Sequence, residues 1–233
     1  DAFNESYHVL ETHPQIQRVC DEYNVQIDCY EKHSRYLIPF GSPSSHLKDD
    51  KTIDDSNRGW MLASGLNPDD YAGDAAGVRR ALQLHIRERA LENGYDFSDM
   101  NDDQLTDDYH YFAFPNVTFN LFHTRFSMFR QRPHETDPNK CYYDLIMMGH
   151  FPHGEEPPKA EHVYFDKKIQ YVELLDSSLE VASFILQQDA DNVPEVQQGV
   201  QSEGYKGMTL GEQEIRVRHF HNLVDHYLKS GEP

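Results

Sequence analysis

The amino-acid sequence predicts an α+β domain in which a meander of antiparallel strands is followed by a long C-terminal helix. Between Tyr109 and His150, apolar and polar residues alternate, and turn sequences such as Thr136-Asp-Pro-Asn interrupt the alternation. From Val172 onward, apolar residues recur at helical spacing in several segments that end near Lys229. A run of strands followed by a run of helices is typical of α+β folds.

The elements before the meander are predicted from periodicity and from Gly, Pro and polar clusters. The strongest helix is Ala75–Asn93, which has Val78 and Leu82 on one face and which Gly94 ends. The other expected elements are a short helix at Asp1–Val9, one or two strands at Asn24–Phe40, a loop at Ser42–Arg58 and a helical turn at Asn101–Asp107.

The meander and the helices after it complete the predicted order. A new helix is expected to start at Asp191 or Asn192, which would act as its N-cap, with Pro194 in its first turn. The expected strands are Tyr109–Pro115, Val117–His123, Arg125–Arg132 and Cys141–Gly149; a Pro-rich loop at Gly149–Ala160 follows, and the helices are Val172–Gln188, Val193–Gln201 and Leu210–Lys229.

Composition limits the function. The chain has 233 residues, long enough for one well-filled domain, and a net charge of −19 from 40 acidic and 21 basic residues. This charge argues against nucleic acid or an anionic membrane as a partner. No apolar run is long enough to cross a bilayer. Cys20, Cys29 and Cys141 fit neither a disulfide framework nor a zinc motif, so a reducing cytoplasm is expected.

Two histidines near the start of the chain suggest a metal site. His8 lies one helical turn after Glu5, and Pro14 favours an extended His13 just past the helix end. On a continuous helix the two rings would point about 140° apart, whereas a helix that ends between them lets them converge. Neutral imidazoles that converge can bind a metal once a third ligand is near. Asp189, which follows an apolar helical stretch, is a candidate.

These segments resemble the C-terminal catalytic domain of Rieske-type aromatic-ring-hydroxylating oxygenases, large (α) subunit. That family has an acid-x-Tyr-His-x4-His string, present here from Glu5 to His13, and a late Asp-x-x-Asn-x-x-Glu-x-Gln pattern, which starts here at Asp189. The segments at 108–118 and 212–227 are also similar, so the resemblance covers essentially the whole chain. One departure is Asp1-Ala2, where the family usually carries an amide side chain near the iron.

The resemblance implies a helix-grip fold (START/Bet v 1-like) that binds mononuclear Fe(II) through His8, His13 and Asp189. Glu5 would be the acid that links an iron ligand to a Rieske cluster in a neighbouring subunit. The implied reaction is O2-dependent hydroxylation of an aromatic or other apolar substrate. Electrons would come from NAD(P)H through a reductase, with or without a ferredoxin, in a homotrimer or an α3β3 assembly. Asp191 is expected to be a helix cap rather than a ligand.

Candidate residues for the substrate pocket are aromatic. Alternate residues of a strand face opposite sides of a sheet, so only about half of the strand candidates can line one pocket. The candidates are Tyr7, Phe112, Phe114, Phe119 and Phe122; in contrast, His110, His123, His150 and His221 are expected to be structural.

A Rieske cluster (2Fe-2S) needs two Cys and two His, and neither Cys-x-His nor Cys-x-x-His occurs in this sequence. Residues 1–233 are therefore expected to be the catalytic domain alone, without its N-terminal Rieske domain. The main alternative is a helix-grip module that binds a hydrophobic small molecule without a metal. A zinc hydrolase would be expected to show His-Glu-x-x-His or a third His, and the family's small (β) subunit lacks the iron ligands.

Overall fold

The computed structural model describes residues 8, 11–13, 21, 23–45, 51–53, 55–165, 170–174 and 180–231. Its centre is a six-stranded sheet with the order β1-β2-β3-β4-β5-β6, and all neighbouring strands are antiparallel. The strands are β1 (Gln26–Cys29), β2 (His33–Ile38), β3 (Asp108–Ala113), β4 (Val117–Leu121), β5 (Arg125–Pro133) and β6 (Cys141–Gly149). The predicted antiparallel meander and the α+β class are confirmed.

Apart from helical residues 8, 11 and 12, which precede β1, the described helices lie between β2 and β3 and after β6. They are α1 (Asp55–Ala63), α2 (Val78–Arg89), α3 (Tyr171–Leu174), α4 (Glu180–Gln201) and α5 (Ile215–Ser230). Single 3-10 turns occur at Pro68–Tyr71, Ala75–Gly77 and Asp103–Leu105. None of the described helices is long and apolar enough to cross a bilayer.

The two faces of the sheet have different neighbours, and this difference positions the site. Ser34, Tyr36, His110 and Phe112 lie on one face, which is called the helix face because α5 packs on it: the rings of Phe112 and Phe220 are 5.4 Å apart. The opposite face, called the outer face, carries Arg35, Tyr109, Tyr111, Phe119 and Phe126.

A buried arginine fixes α5 to the helix face. Arg216, 2% exposed, donates to Ser34 Oγ at 3.0 Å and to His110 Nδ1 at 2.9 Å, and its guanidinium lies over the Tyr36 ring. The acceptor role of Nδ1 places the ring proton of neutral His110 on Nε2. Burial and the charge of Arg216 lower the pKa of His110 well below its ordinary value.

The predicted loop at Ser42–Arg58 is wrong at its end, because α1 begins at Asp55. The polar composition of that stretch favours a loop, but tertiary packing stabilises a helix at its end. Met61, fully buried, packs against Val78 and Leu82 of α2.

The helix predicted at Ala75–Asn93 is shorter than expected, because α2 spans only Val78–Arg89 after the 3-10 turn at Ala75–Gly77. Gly94, with a φ of +79°, ends the turn that follows α2 rather than the helix itself.

The predicted break at Asp191 or Asn192 is also wrong, because α4 continues through Pro194. Asp191 does not cap a helix there; its carboxylate accepts a hydrogen bond from Gln187 Nε2, one turn earlier. A proline inside a helix leaves the carbonyl four residues before it without its usual donor. That carbonyl belongs to Ala190, which is partly exposed at the start of an exposed stretch, residues 191–201, so water can hydrogen-bond to it.

Candidate metal centre

His8, His13 and Asp189 converge at one point. Asp189 Oδ1 lies 3.1 Å from His8 Nε2 and 3.0 Å from His13 Nε2, and the two imidazole nitrogens are 3.0 Å apart. Both histidines are buried, at 8% and 3% exposure. Among the described residues, they form the one group of three His, Cys, Asp or Glu side chains with ligand atoms close enough to share a metal ion.

The local chain path explains how the two rings meet. His8, Glu11 and Thr12 are helical, whereas His13 has left the helix. The end of the helix allows the two rings to approach edge to face, with centroids 4.7 Å apart. Asp189 comes from the first half of α4, which is much less exposed than its second half. The predicted convergence past a helix end is therefore observed.

The three ligand atoms are close enough for one metal ion to contact all of them. Their separations of 3.0, 3.0 and 3.1 Å are also ordinary hydrogen-bond distances, so the ligand types rather than the spacing indicate which metal would bind. Two imidazoles and one carboxylate are the facial triad of non-haem Fe(II) oxygenases.

Gln188 determines which nitrogen of His13 faces this triangle. Its side-chain oxygen lies 2.8 Å from His13 Nδ1. An amide oxygen only accepts, so Nδ1 donates and, in the neutral ring, Nε2 presents its lone pair to Asp189. A hydrogen bond of this kind on the second ring nitrogen orients metal-binding histidines.

The charges of the three groups favour a cation between them. Burial alone would lower the pKa of His13, but hydrogen bonds to Asp189 and Gln188 outweigh it, so that pKa is raised. Burial alone would raise the pKa of Asp189, but hydrogen bonds from His13 and His8 outweigh it, so that pKa is lowered. A buried carboxylate facing imidazole lone pairs is stabilised by either a proton or a metal ion.

Comparison with known proteins identifies the family. Residues 1–230 match the family model described as ring hydroxylating alpha subunit (catalytic domain). The chain belongs to this family. Comparison with curated proteins and with solved structures gives no significant match. Membership confirms the resemblance drawn from the His-x4-His string and the distant Asp, and it agrees with the sheet and the C-terminal helix described above.

In this ring-hydroxylating domain, two tyrosines near Asp189 were not predicted. Burial, followed by the charges of Tyr171 and Asp189, raises the pKa of Tyr143. Burial and the charge of Asp189 likewise raise the pKa of Tyr171. The pairing of Tyr143 with Gln131 puts the side chain of Tyr143 on the helix face. The charge of Asp189 therefore acts on a side chain of the helix face. No sequence signal marks these tyrosines, whereas Gln188 could have been found as the residue next to Asp189.

The predicted pocket residues are distributed over both faces. Phe112 and Phe114 contact Phe220 of α5 on the helix face. Phe119 lies on the outer face, where it stacks on Tyr111 at 5.1 Å between centroids. Phe122 lies beneath the guanidinium of Arg125. Tyr7 and Glu5 lie outside the described residues.

The histidines expected to be structural lie in other surroundings. His110 bonds to Arg216, His123 and His150 both contact the ring of Phe97, and His221 contacts Phe220. The assignment of metal ligands to His8, His13 and Asp189 therefore has no competing cluster among the described residues.

Proposed function

We propose that this domain binds one Fe(II) through His8, His13 and Asp189 and hydroxylates an aromatic or other apolar substrate with O2. The observation that carries the proposal is the convergence of the three ligand atoms in a chain of the ring-hydroxylating family. Zinc is the competing metal for the same ligand types, but a zinc hydrolase would be expected to show His-Glu-x-x-His or a third His. Bound Fe(II) would supply the site at which O2 is activated.

The protein's own groups hold and shape that site. The two imidazoles and Asp189 would hold the iron, and a metal with only three protein ligands would have positions left for O2 and solvent. Gln188 holds His13 in the tautomer whose Nε2 can act as a ligand. Apolar side chains on the helix face, including Phe112, would hold the substrate near the metal without binding to it.

Electrons are proposed to come from NAD(P)H through a reductase, with or without a ferredoxin, and a Rieske cluster on a domain outside these 233 residues. The family suggests a homotrimer or an α3β3 assembly, with Glu5 linking the iron ligand to a neighbour's cluster. The exposed free thiols of Cys29 and Cys141 support a cytoplasmic location, where thiols stay reduced.

Peroxide-driven chemistry tests the proposal on this domain alone, because hydrogen peroxide supplies both the oxygen and the electrons. After anaerobic loading with Fe(II), the wild-type domain should hydroxylate naphthalene with peroxide, whereas His13→Ala should not. The loaded domain should give no product with NADH and a reductase. Equal peroxide-driven yields from wild type and His13→Ala would contradict the proposed site. Failure of the wild type to retain any metal would favour the non-enzymatic binding module.

A further inference from the structure

A second concave site lies on the outer face of the sheet. A groove of about 570 Å³ lies between this face and Met100 and Gln104, which precede β3. The volume is in the range of small-molecule sites, which are usually lined by apolar and aromatic side chains with a few polar groups. The floor of the groove is mostly aromatic and apolar: Tyr109, Tyr111, Leu121, Phe126 and Met148.

Arg125 lies at one end of this groove, at the first residue of β5. Its guanidinium carbon lies 5.2 Å from the centre of the Phe122 ring. Every other arginine in the described ranges forms an ion pair or a hydrogen bond; among them, Arg35 in the same groove binds Asp28 through two nitrogens. For Arg125, no such bond is found to any described residue. In a chain with 40 acidic and 21 basic residues, a guanidinium with no carboxylate of a described residue within ion-pair distance is unexpected.

The carboxylate of Asp108 interacts electrostatically with Arg125, but it is a weak counter-ion. Its Oδ2 accepts a hydrogen bond from Asn120 at 2.6 Å, and burial raises the pKa of Asp108 to about 7. The groove end is therefore electropositive. His123, also in the lining, agrees with this: burial, and then the charges of Arg125 and His150, lower its pKa to about 4.

We propose that this groove binds a flat aromatic carboxylate, with its ring on the aromatic floor and its carboxylate paired with Arg125. Guanidinium and carboxylate groups form strong paired hydrogen bonds, and Tyr109, Tyr111 and Phe126 offer ring faces and edges to a flat ligand. The aromatic floor of the groove lies on the outer face, whereas Asp189 acts on the helix face. Arg125 has the helix-face register of β5 and lines the groove where it passes the turn between β4 and β5.

Isothermal titration with 2-naphthoate tests this site in the wild-type domain. Arg125→Gln should weaken binding about tenfold or more, because a charge-assisted bond is replaced by a neutral one. Arg130→Gln is the matched control: it removes the same charge from the same strand, but Arg130 is already paired with Asp144, so the Kd should stay within about twofold of wild type. The neutral analogue 2-naphthamide should bind the wild type at least about tenfold more weakly than 2-naphthoate does.

Two results would overturn the assignment of Arg125. One is an unchanged Kd in Arg125→Gln, and the other is equal affinity of the wild type for naphthoate and naphthamide. The second comparison needs no variant, so it decides the question even if Arg125→Gln does not fold. A His8→Ala/His13→Ala variant should keep full naphthoate affinity; loss of binding there would place the ligand at the metal centre instead. The groove proposal can therefore fail while the proposed oxygenase function stands, and the reverse also holds.

Discussion

His13 donates its Nδ1–H to the side-chain oxygen of Gln188, 2.8 Å away, and thereby turns Nε2 toward Asp189 and His8. Gln188 and Asp189 are consecutive on α4, so one turn of helix supplies both the proposed carboxylate ligand and the group that orients a histidine ligand. The orientation of the ring and the position of the carboxylate are consequently fixed together.

Replacing Gln188 should weaken metal binding without removing any ligand. Gln188→Ala is expected to raise the Kd for Fe(II) about 10- to 100-fold, because His13 loses the bond that fixes its tautomer. Gln188→Glu should bind more tightly than Gln188→Ala, since a carboxylate also accepts from Nδ1–H. Anaerobic Fe(II) titration measures both values. Gln197→Ala is the control, because Gln197 lies on the same helix and bonds only to Asn139 among the described residues. Equal affinities in Gln188→Ala and Gln197→Ala would refute this role.

Arg216 should contribute more to stability than any exposed arginine of α5. Arg216→Ala leaves His110 Nδ1 and Ser34 Oγ buried without this donor, and the free energy of unfolding should fall by about 2–4 kcal/mol. Arg218→Ala, two residues later and exposed, should change it by less than about 0.5 kcal/mol. Urea unfolding of the two variants gives the comparison. Similar losses in both would show that the buried contacts do not hold α5 to the sheet.

Burial of Asp108 should make stability depend on pH in a defined direction. Its pKa is about 7 in the folded chain, whereas an unfolded Asp titrates near about 3.9. The folded state thus binds this proton more tightly, and the stability it contributes below about pH 4 is lost as the pH rises to about 7. Asp108→Asn stays neutral at every pH. Its free energy of unfolding should therefore rise by roughly 2–3 kcal/mol relative to that of the wild type as the pH goes from 5 to 8. Urea unfolding of both proteins at pH 5 and pH 8 measures this gain. The same difference in free energy of unfolding between variant and wild type at both pH values would contradict it.

The sheet was largely predictable because its strands follow one another in sequence and alternate clearly. The last two, β5 and β6, were predicted to within one residue. Helices were predicted less well. The buried contacts of Met61 stabilise α1 in a stretch whose composition favours a loop, and the exposure of residues 191–201 allows α4 to continue through Pro194. Both effects depend on which surfaces tertiary packing buries, and local sequence does not contain that information.

The convergence of His8, His13 and Asp189 was predictable because the residue types, order and spacing of the family's motif are encoded along the chain. The tyrosines near Asp189 were not, because Tyr143 lies on β6 and Tyr171 on α3, and only the folded chain brings them near Asp189 on α4. The sequence also cannot show that Arg125 forms no ion pair or hydrogen bond with any described residue, since pairing is a property of the folded chain. In each case the missing information is a contact between residues far apart in sequence.

Glu5 lies outside the described residues, and its bridging role stays a prediction. In the full-length protein, Glu5→Gln should retain iron and cluster but lose most of the NAD(P)H-coupled turnover, because a neutral amide cannot take up a proton and bridges poorly. Metal analysis and steady-state hydroxylation of one substrate test this. Wild-type turnover in Glu5→Gln would mean that electrons reach the iron by another route.

Metal stoichiometry tests the central claim most directly. Under anaerobic conditions, the wild-type domain should bind one equivalent of Fe(II), and His221→Ala, which removes an exposed histidine of α5, should bind the same amount. His8→Ala, His13→Ala and Asp189→Ala should each lose the bound iron while circular dichroism shows an intact fold. Wild-type iron content in the three ligand variants, with the fold preserved, would contradict the account, because the metal would then be held elsewhere.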